Sequence, residues 1–306
     1  MFCYGASLLN RREDGMSKTV LGVIGGSGVY AFPGLRNDRW MPVATPWGEP
    51  SDELHFGELE GVEMVFLPRH GRGHMQSPSS INYRANIDAM KRAGVTDIIS
   101  VSAVGSLKEE LPPGRFVIVD QFIDRTFARE KSFFGPGLVA HVSMAQPVCP
   151  RLGDHLEAAC KAHDIPHARG GTYMVMEGPQ FSTLAESELY RSWGCSVIGM
   201  TNMPEAKLAR EAEMNYATLA MVTDYDCWHP HHDNVDVASV VRILGENAER
   251  AQAVIRAVAK SFGPNRAPCP HGFDRALDNA LITAPGKHDP ALVKKLNAIL
   301  ARVLSV

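Results

Sequence analysis

The chain has 306 residues, a formal net charge of −3 and 45% hydrophobic residues. That is enough apolar material for one large domain or two modest ones, and the near-neutral balance lacks the basic surplus of a nucleic-acid protein. No apolar run approaches the ~20 residues that span a bilayer.

Residues 1–18 read as an N-terminal extension. Arg11 and Arg12 follow its short apolar part, the wrong order for a secretory signal, and Met16 is an alternative start just before the first strand. The six cysteines are scattered without CxxC spacing. This pattern suits reduced thiols in a cytoplasmic protein better than a disulfide frame or a structural zinc site.

Thr19–Ile24 is a buried strand that opens into Gly25-Gly26-Ser27-Gly28, where backbone N–H groups can form a nest for an anion and Ser27 adds a hydroxyl. The same stretch, continued to Ala31, matches the dinucleotide fingerprint, with Asp52 at the distance of a ribose ligand. Phe32-Pro33-Gly34 would stop the helix that fingerprint must open, so an NAD-dependent oxidoreductase is the more distant reading. Residues 35–60 read as strands and loops at a sheet edge.

A second strand, Val62–Leu67, ends in Pro68-Arg69-His70-Gly71-Arg72-Gly73-His74. Arginine forks and glycines at a strand end suit an anion, and ligands in open α/β sheets bind there. Ser77-Pro78 reads as the start of a helix to about Arg92, with Gly94 as its stop. Asp97–Ser102 is a third strand, ending in a small-residue loop, Ser102-Ala103-Val104-Gly105-Ser106. Three such loops at strand ends can converge on one ligand.

Further strands are expected at Phe116–Asp120, Gly171–Met176, Cys195–Ile198 and Tyr216–Val222, with helices at Arg151–His163, from Ser182 to about Trp193, from Pro204, and at Val235–Lys260 and Pro290–Leu304. Residues 131–150 form a long loop of the kind that often serves function or an interface. Residues 263–273, with three prolines, read as a linker. There is no internal repeat. The alternation predicts an α/β fold: a single domain with a central mixed β-sheet flanked by helices, the catalytic part over 19–262 and a C-terminal helical arm over 263–306.

The chain resembles the trimeric purine nucleoside phosphorylase family. The matching pieces are Gly25-Gly26-Ser27-Gly28, Arg69-His70-Gly71-Arg72, Asn82-Tyr83-Arg84-Ala85-Asn86, Ser102–Ser106, Asp120–Thr126, Glu177-Gly178-Pro179 with Phe181, Met200-Thr201, and Asp224-Tyr225-Asp226-Cys227-Trp228. They stand in the family's order. The resemblance implies a purine nucleoside phosphorylase-like fold and phosphorolysis of 5′-methylthioadenosine to adenine and 5-methylthioribose 1-phosphate, in purine and methionine salvage. Phosphate is then a co-substrate, and no cofactor or metal is expected. The resemblance puts Ser27, Arg69, His70, Ser102, Ala103 and Thr201 at the phosphate, with Arg69 offsetting its charge. Met200 goes to the ribose, Phe181 to the purine face, and Val237 and Val240 to the wall of the 5′ pocket. His141 reaches that pocket from a neighbouring subunit of a homotrimer.

The leaving purine accumulates charge as its bond to the sugar breaks, and a carboxylic acid can share a proton with N7. Asp224 is the candidate, with Asp226 beside it. On a strand-like end, two carboxylates separated by Tyr225 share a face, and their mutual repulsion keeps one protonated at neutral pH. A protonated Asp can serve both the N6 donor and the N7 acceptor of adenine. A 6-oxopurine would want an amide there, so a 6-oxopurine nucleoside or methylthioinosine phosphorylase is the alternative. A metal hydrolase would draw on His70, His74, His229, His231 and His232, whose spacing is not that of a helical metal site. A hydrolytic nucleosidase would not need the phosphate groups, and a non-catalytic nucleotide-binding protein would not need Asp224.

Overall fold

The computed structural model describes residues 17–26, 28, 32–230 and 237–304. In chain order the first half contains β1 (Ser17–Lys18), β2 (Val20–Gly25), β3 (Arg36–Met41), β4 (Leu54–Leu59), β5 (Val62–Pro68), α1 (Tyr83–Arg92), β6 (Asp97–Ser106), β7 (Phe116–Ile118) and β8 (Gln121–Asp124). There follow α2 (Pro150–Ala162), β9 (His167–Arg169), β10 (Thr172–Val175), α3 (Leu184–Ser192), β11 (Val197–Gly199), α4 (Asn202–Glu211), β12 (Asn215–Asp224) and α5 (Val237–Phe262). The chain closes with β13 (Asn265–Arg266), a 3-10 turn at Phe273–Arg275, α6 (Pro290–Lys295) and α7 (Asn297–Leu300).

Strands β2 and β12 are almost continuous apolar runs because helices cover both faces of the sheet. Their neighbours β5 and β6 run parallel to them, so four strands end on one side. The eleven-stranded sheet is mixed. β3 and β4 add antiparallel edge strands, β11 pairs antiparallel with the far end of β6, and β10 lies parallel between β11 and β8. On one face α2 and α5 bury Leu152, Leu156, Val254 and Val258 against Leu21, Val23 and Phe66. On the other, α1 and α4 bury Ile87, Met90 and Leu208 against Ile24, Val65 and Leu67.

Residues 263–304 are joined to this body. Leu277, Leu296, Ile299 and Leu300 belong to the core on the α1 and α4 face. Arg266 bridges Asp97 at the start of β6 and Asp274, each at 2.8 Å, and Arg302 bonds Glu213. The segment read as a linker thus pairs with β1 and buries Cys269 and Phe273. The expected last helix is two short ones broken at Leu296.

Two local expectations change. The helix after His74 begins at Tyr83, not Ser77, because Asn82 caps it by accepting the Ala85 N–H while Ser77 and Ser80 bond each other in a preceding turn. The run Ser102–Ser106 is not a loop but the second half of β6, where small residues leave room for β11 and β12 on either side.

Glu211, at the end of α4, is buried and holds the long loop by accepting the Phe133 N–H and the Ser132 hydroxyl, both at 2.7 Å. Burial pushes its carboxyl up to about 7 against those hydrogen bonds. The folded state therefore binds the proton more tightly than the unfolded chain, and stability declines as pH rises from about 4.5 to about 7. Glu211→Gln removes this titration. Thermal unfolding at pH 5 and pH 8 is expected to show a smaller drop in Tm for Glu211→Gln than for the unaltered protein; an equal drop would place the sensitivity elsewhere.

Candidate active site

The four parallel strand ends bring the glycine segment after β2, the Arg69–His74 loop after β5, the far half of β6 and the end of β12 to one side of the sheet. Register fixes the order. Asp224 lies opposite Gly105, and Ala220 opposite Ser102, across β12 and β6. Ile198 lies opposite Gly105 from the other side, so the Met200-Thr201 segment after β11 meets the same place. β10 pairs with β11 at Val175 and Gly199, which brings Glu177 and Gly178 alongside.

At the hydroxyl end of the site, Ser102 Oγ lies 3.4 Å from Thr201 Oγ1 and 2.9 Å from the buried Tyr173 hydroxyl. Ala103 follows on the same strand and is half-buried. His70 donates through Nδ1–H to the Gln76 carbonyl, 2.8 Å away, and its ring stacks on His74 at 4.2 Å. Burial, reinforced by the charge of Arg69, pulls the His70 imidazole down to about 4, so it is neutral at pH 7. Ser27 lies outside the described residues.

Arg69 is turned inward. Its guanidinium pairs with Glu205 at 2.8 and 3.0 Å and also donates to Ser100 Oγ and to the carbonyls of Val101 and Ile24. Among the described residues Nη1 donates to the Val101 carbonyl alone, which leaves its second N–H without a protein partner there. Glu205 is in turn bonded by Ser100 and the Tyr216 hydroxyl at 2.7 and 2.8 Å. The charge of Arg69 is thus already met inside the protein.

At the other end, Asp224 Oδ2 accepts the Thr223 hydroxyl at 2.7 Å and Oδ1 accepts the Asp226 N–H at 2.8 Å. The two carboxylates are brought together by this turn, with Asp226 at φ 53°, and not by strand alternation, because β12 stops at Asp224. No cation pairs with either of them among the described residues. Burial raises the Asp224 carboxyl, opposed by its hydrogen bonds; burial raises Asp226 too, and the charge of Asp224 adds to the effect. Asp226 Oδ2 is buried without a hydrogen-bond partner. The loop is pinned to the end of β6 by Trp228, which donates to the Ser106 carbonyl at 2.8 Å, and to the turn that follows β6 by the Tyr225 hydroxyl on the Glu109 carbonyl.

Met200 lies over Gly178: a Cβ there would come within 2.5 Å of its sulfur. Phe181 is exposed, one residue before Ser182, whose carbonyl accepts the Cys227 thiol. The Phe181 segment is therefore beside the Asp224–Asp226 turn. Val237 and Val240 open α5, and their side chains lie outside the described ones. His141 stands elsewhere, in a hollow of about 400 Å³ that Lys207 and Glu211 also line. No hydrogen bond or ring contact joins it to Asp224, Met200 or Phe181 of its own chain.

The rival arrangements find less support. Asp52 is occupied by Arg72, through the backbone N–H and the guanidinium at 2.6 to 3.1 Å, and a turn and then β3 follow Phe32 where a dinucleotide fold would have a helix. His229 bonds Glu109 at 3.1 Å, and His231 and His232 lie outside the described residues. Among the described residues no group of three His, Cys, Asp or Glu has the spacing for a metal ion, and no helix is long and apolar enough to cross a membrane.

Comparison with known proteins agrees with this geometry. Residues 20–260 match the family model described as the phosphorylase superfamily. The chain belongs to the phosphorylase superfamily. Within it, the chain is 64% identical to the S-methyl-5′-thioadenosine phosphorylase of Rhodospirillum rubrum, covering 95% of this chain and 99% of that one. It is 62% identical to the enzyme of that name from Cereibacter sphaeroides, over 94% and 99%. Among solved structures, a methylthioadenosine phosphorylase from an antarctic soil metagenomic library superposes with a TM-score of 0.87 at 48% identity, covering 92% of this chain and 99% of that one. A methylthioadenosine phosphorylase from Schistosoma mansoni, solved with adenine, gives 0.75 at 38%, over 79% and 91%. Superfamily membership accounts for the fold and for the convergence of strand ends. It does not by itself point to Glu205, Tyr173 or Arg129, which carry no local motif.

Gly105 is packed directly against the carboxylate pair. A Cβ there would lie 2.8 Å from Asp224 Oδ1, 3.2 Å from Ile198 and 3.3 Å from Asp226 Cβ. Gly105→Ala is expected to displace the carboxylates and raise the nucleoside KM by about tenfold or more, since misplacement of about 1 Å can cost a hundredfold. Steady-state kinetics with thermal unfolding alongside would check this. Unchanged kinetics in a folded variant would mean that the turn yields without moving the carboxylates.

Proposed function

We propose that this protein catalyses phosphorolysis of 5′-methylthioadenosine, releasing adenine and 5-methylthioribose 1-phosphate. The observation that carries the reading is the buried Asp224–Asp226 pair, without a cation partner among the described residues, on the same side of the sheet as the Ser102 and Thr201 hydroxyls. The high identity to methylthioadenosine phosphorylases over nearly the whole chain supports it.

Phosphate binds at the Ser102 and Thr201 hydroxyls, the Ala103 backbone, neutral His70 and Ser27. Arg69 contributes its remaining N–H and, paired with Glu205, fixes the strand ends that carry these groups. Met200 packs on the ribose and Phe181 on the purine face, as a soft thioether and an aromatic ring suit. A phosphate oxygen attacks the anomeric carbon as its bond to the purine nitrogen breaks. The electron pair goes to the purine, and Asp224 delivers a proton toward N7. Asp226, with one buried oxygen unbonded in the protein, accepts from N6. Val237 and Val240 line the 5′ pocket, and phosphate is the co-substrate with no cofactor or metal required. The reaction takes place in the cytoplasm.

Adenine release from 5′-methylthioadenosine is expected only with phosphate, and methylthioinosine and inosine are expected to be poor substrates. Asp224→Asn is expected to lower kcat/KM for the 6-amino substrate by about 10²–10⁴-fold, the usual contribution of a general acid, and to favour 6-oxo substrates relatively. Because the acid must be protonated, kcat/KM in the unaltered protein falls as pH rises through the raised pKa of the pair. Equal release without phosphate would make this a hydrolase, and a preference for 6-oxo substrates would leave the role given to Asp224 wrong.

The working unit we propose is a homotrimer, in which His141 reaches the 5′ pocket of the adjacent subunit. Phe127 and Met75 are 82% and 81% exposed on the segments after β8 and β5, and Leu184 and Trp193 are exposed at the two ends of α3, apolar surface that a neighbouring copy would cover. Sedimentation is expected to give three chain masses. His141→Ala is expected to raise the nucleoside KM while leaving the oligomer intact; a monomer with full activity would remove His141 from the site.

A further inference from the structure

Arg129 sits on the segment after β8, far in sequence from every group assigned above. Its side chain is 1% exposed. Nη1 donates to the Met200 carbonyl at 2.6 Å, the Met203 carbonyl at 2.7 Å and the Tyr83 hydroxyl at 3.1 Å. Nη2 donates to the Glu177 carbonyl at 2.6 Å and reaches Ser79 Oγ at 3.4 Å, while Nε faces Glu177 Oε1 at 3.4 Å. The Glu177 carboxylate also accepts the N–H groups of Phe127 and Ala128, at 2.7 and 3.3 Å, and the Ser79 hydroxyl. One guanidinium thus ties three segments: the turn before α1, the Glu177–Phe181 segment after β10, and the Met200–Met203 segment after β11.

Two of these segments carry the nucleoside contacts and neither carries a phosphate contact except Thr201. Thr201 has an anchor on its other side. Its hydroxyl faces Ser102, and its neighbour Asn202 bonds Ser100 at 2.9 Å and receives the Thr218 hydroxyl at 2.9 Å. Among the described residues, the Met200 carbonyl accepts only from Arg129, and Gly178, under the Met200 sulfur, follows the Glu177 carbonyl that Arg129 also holds.

We propose that Arg129 is the positioning residue for the nucleoside half of the site: it sets Met200 against Gly178, and so the surface on which the sugar and purine rest, without touching either substrate. The assignment rests on the phosphorolysis reading above. It requires a forked donor. A lysine ammonium keeps the charge and cannot span the Met200, Met203 and Glu177 carbonyls together.

The test is steady-state kinetics of Arg129→Lys with each substrate varied, beside thermal unfolding and titration with adenine. The expected result is a nucleoside KM raised about tenfold or more, as for loss of charge-assisted hydrogen bonds, adenine binding weakened in parallel, and a phosphate KM within about threefold of the unaltered protein. Addition of guanidinium at millimolar concentration to Arg129→Ala is expected to restore part of the loss. Equal changes in both KM values, or no change in a folded variant, overturn the assignment while leaving phosphorolysis standing. If Arg129→Lys does not fold, Glu177→Gln carries the same test, because it weakens the ion pair and keeps one acceptor oxygen. A rise of about threefold in the nucleoside KM alone supports the role, and no split overturns it. Absence of phosphate-dependent adenine release by the unaltered protein overturns the underlying reading, and this assignment with it.

Discussion

The Arg69–Glu205 pair is the interaction on which the rest of the site depends. Both side chains are about 2% exposed, so each charge has lost its water and is viable only because the other is present. Removing one partner of such a pair costs about 3–5 kcal/mol, since the remaining charge stays buried. The hydrogen bonds of Ser100, Tyr216 and the Val101 and Ile24 carbonyls complete both ions. Ile24 lies on β2, Ser100 and Val101 on β6, Tyr216 on β12 and Glu205 on α4, so the pair joins the end of β5 to each of these elements. It also has an electrical consequence. A neutral pair beneath an anion site aims donors without making a deep positive well, which suits a phosphate that must leave as a sugar phosphate.

The opposite end of the site uses burial differently. Among the described residues Asp224 and Asp226 have no cation to hold them ionised, and they lie close because the Asp226 N–H folds back on Asp224. Desolvation and mutual repulsion then both favour holding a proton between them. The contrast with Asp124 is informative. Burial would raise that carboxyl as well, but hydrogen bonds from Lys207, Thr126 and Lys131 outweigh it and hold it at about 2. Two acidic sites in one protein are driven in opposite directions by the presence or absence of lysines. Of the two, only the pair without them is driven toward keeping a proton.

Much of this was legible in the sequence because the signals are local. The apolar runs of β2, β5 and β12, the glycines and arginine after them, and the Asp224-Tyr225-Asp226 triplet all sit within a few residues of one another. Where reading failed, a local pattern was compatible with two structures. Ser77-Pro78 and Asn82 are both plausible helix starts, and only the bonds of the folded chain choose Asn82. Small residues at 102–106 suit a loop, yet they also suit a strand that two others approach closely, as Gly105 shows. Glu205 and Arg129 were illegible for a different reason. Arg69 and Glu205 are 136 residues apart, and Arg129 and Met200 are 71 apart. A lone buried charge has no sequence period, and its partner is defined only by topology.

The Met200-Thr201 peptide is where the two halves of the site meet. Its Met200 carbonyl is held by Arg129, while the Thr201 hydroxyl faces Ser102 and the Asn202 side chain enters the network around Ser100. Phosphorolysis needs the attacking oxygen, the anomeric carbon and the departing purine at fixed separations, and rate is lost steeply when reacting groups drift. A peptide clamped from both sides serves that need on the proposed assignment, in which the hydroxyl given to phosphate and the thioether given to the sugar belong to adjacent residues. What the surrounding fold must still supply is orientation. Here it comes from two separate buried arginines, Arg69 through a side-chain carboxylate and Arg129 chiefly through backbone carbonyls. Because they act from different elements, the proposed assignment expects the phosphate and nucleoside halves to respond separately to substitution even though they share a single peptide bond.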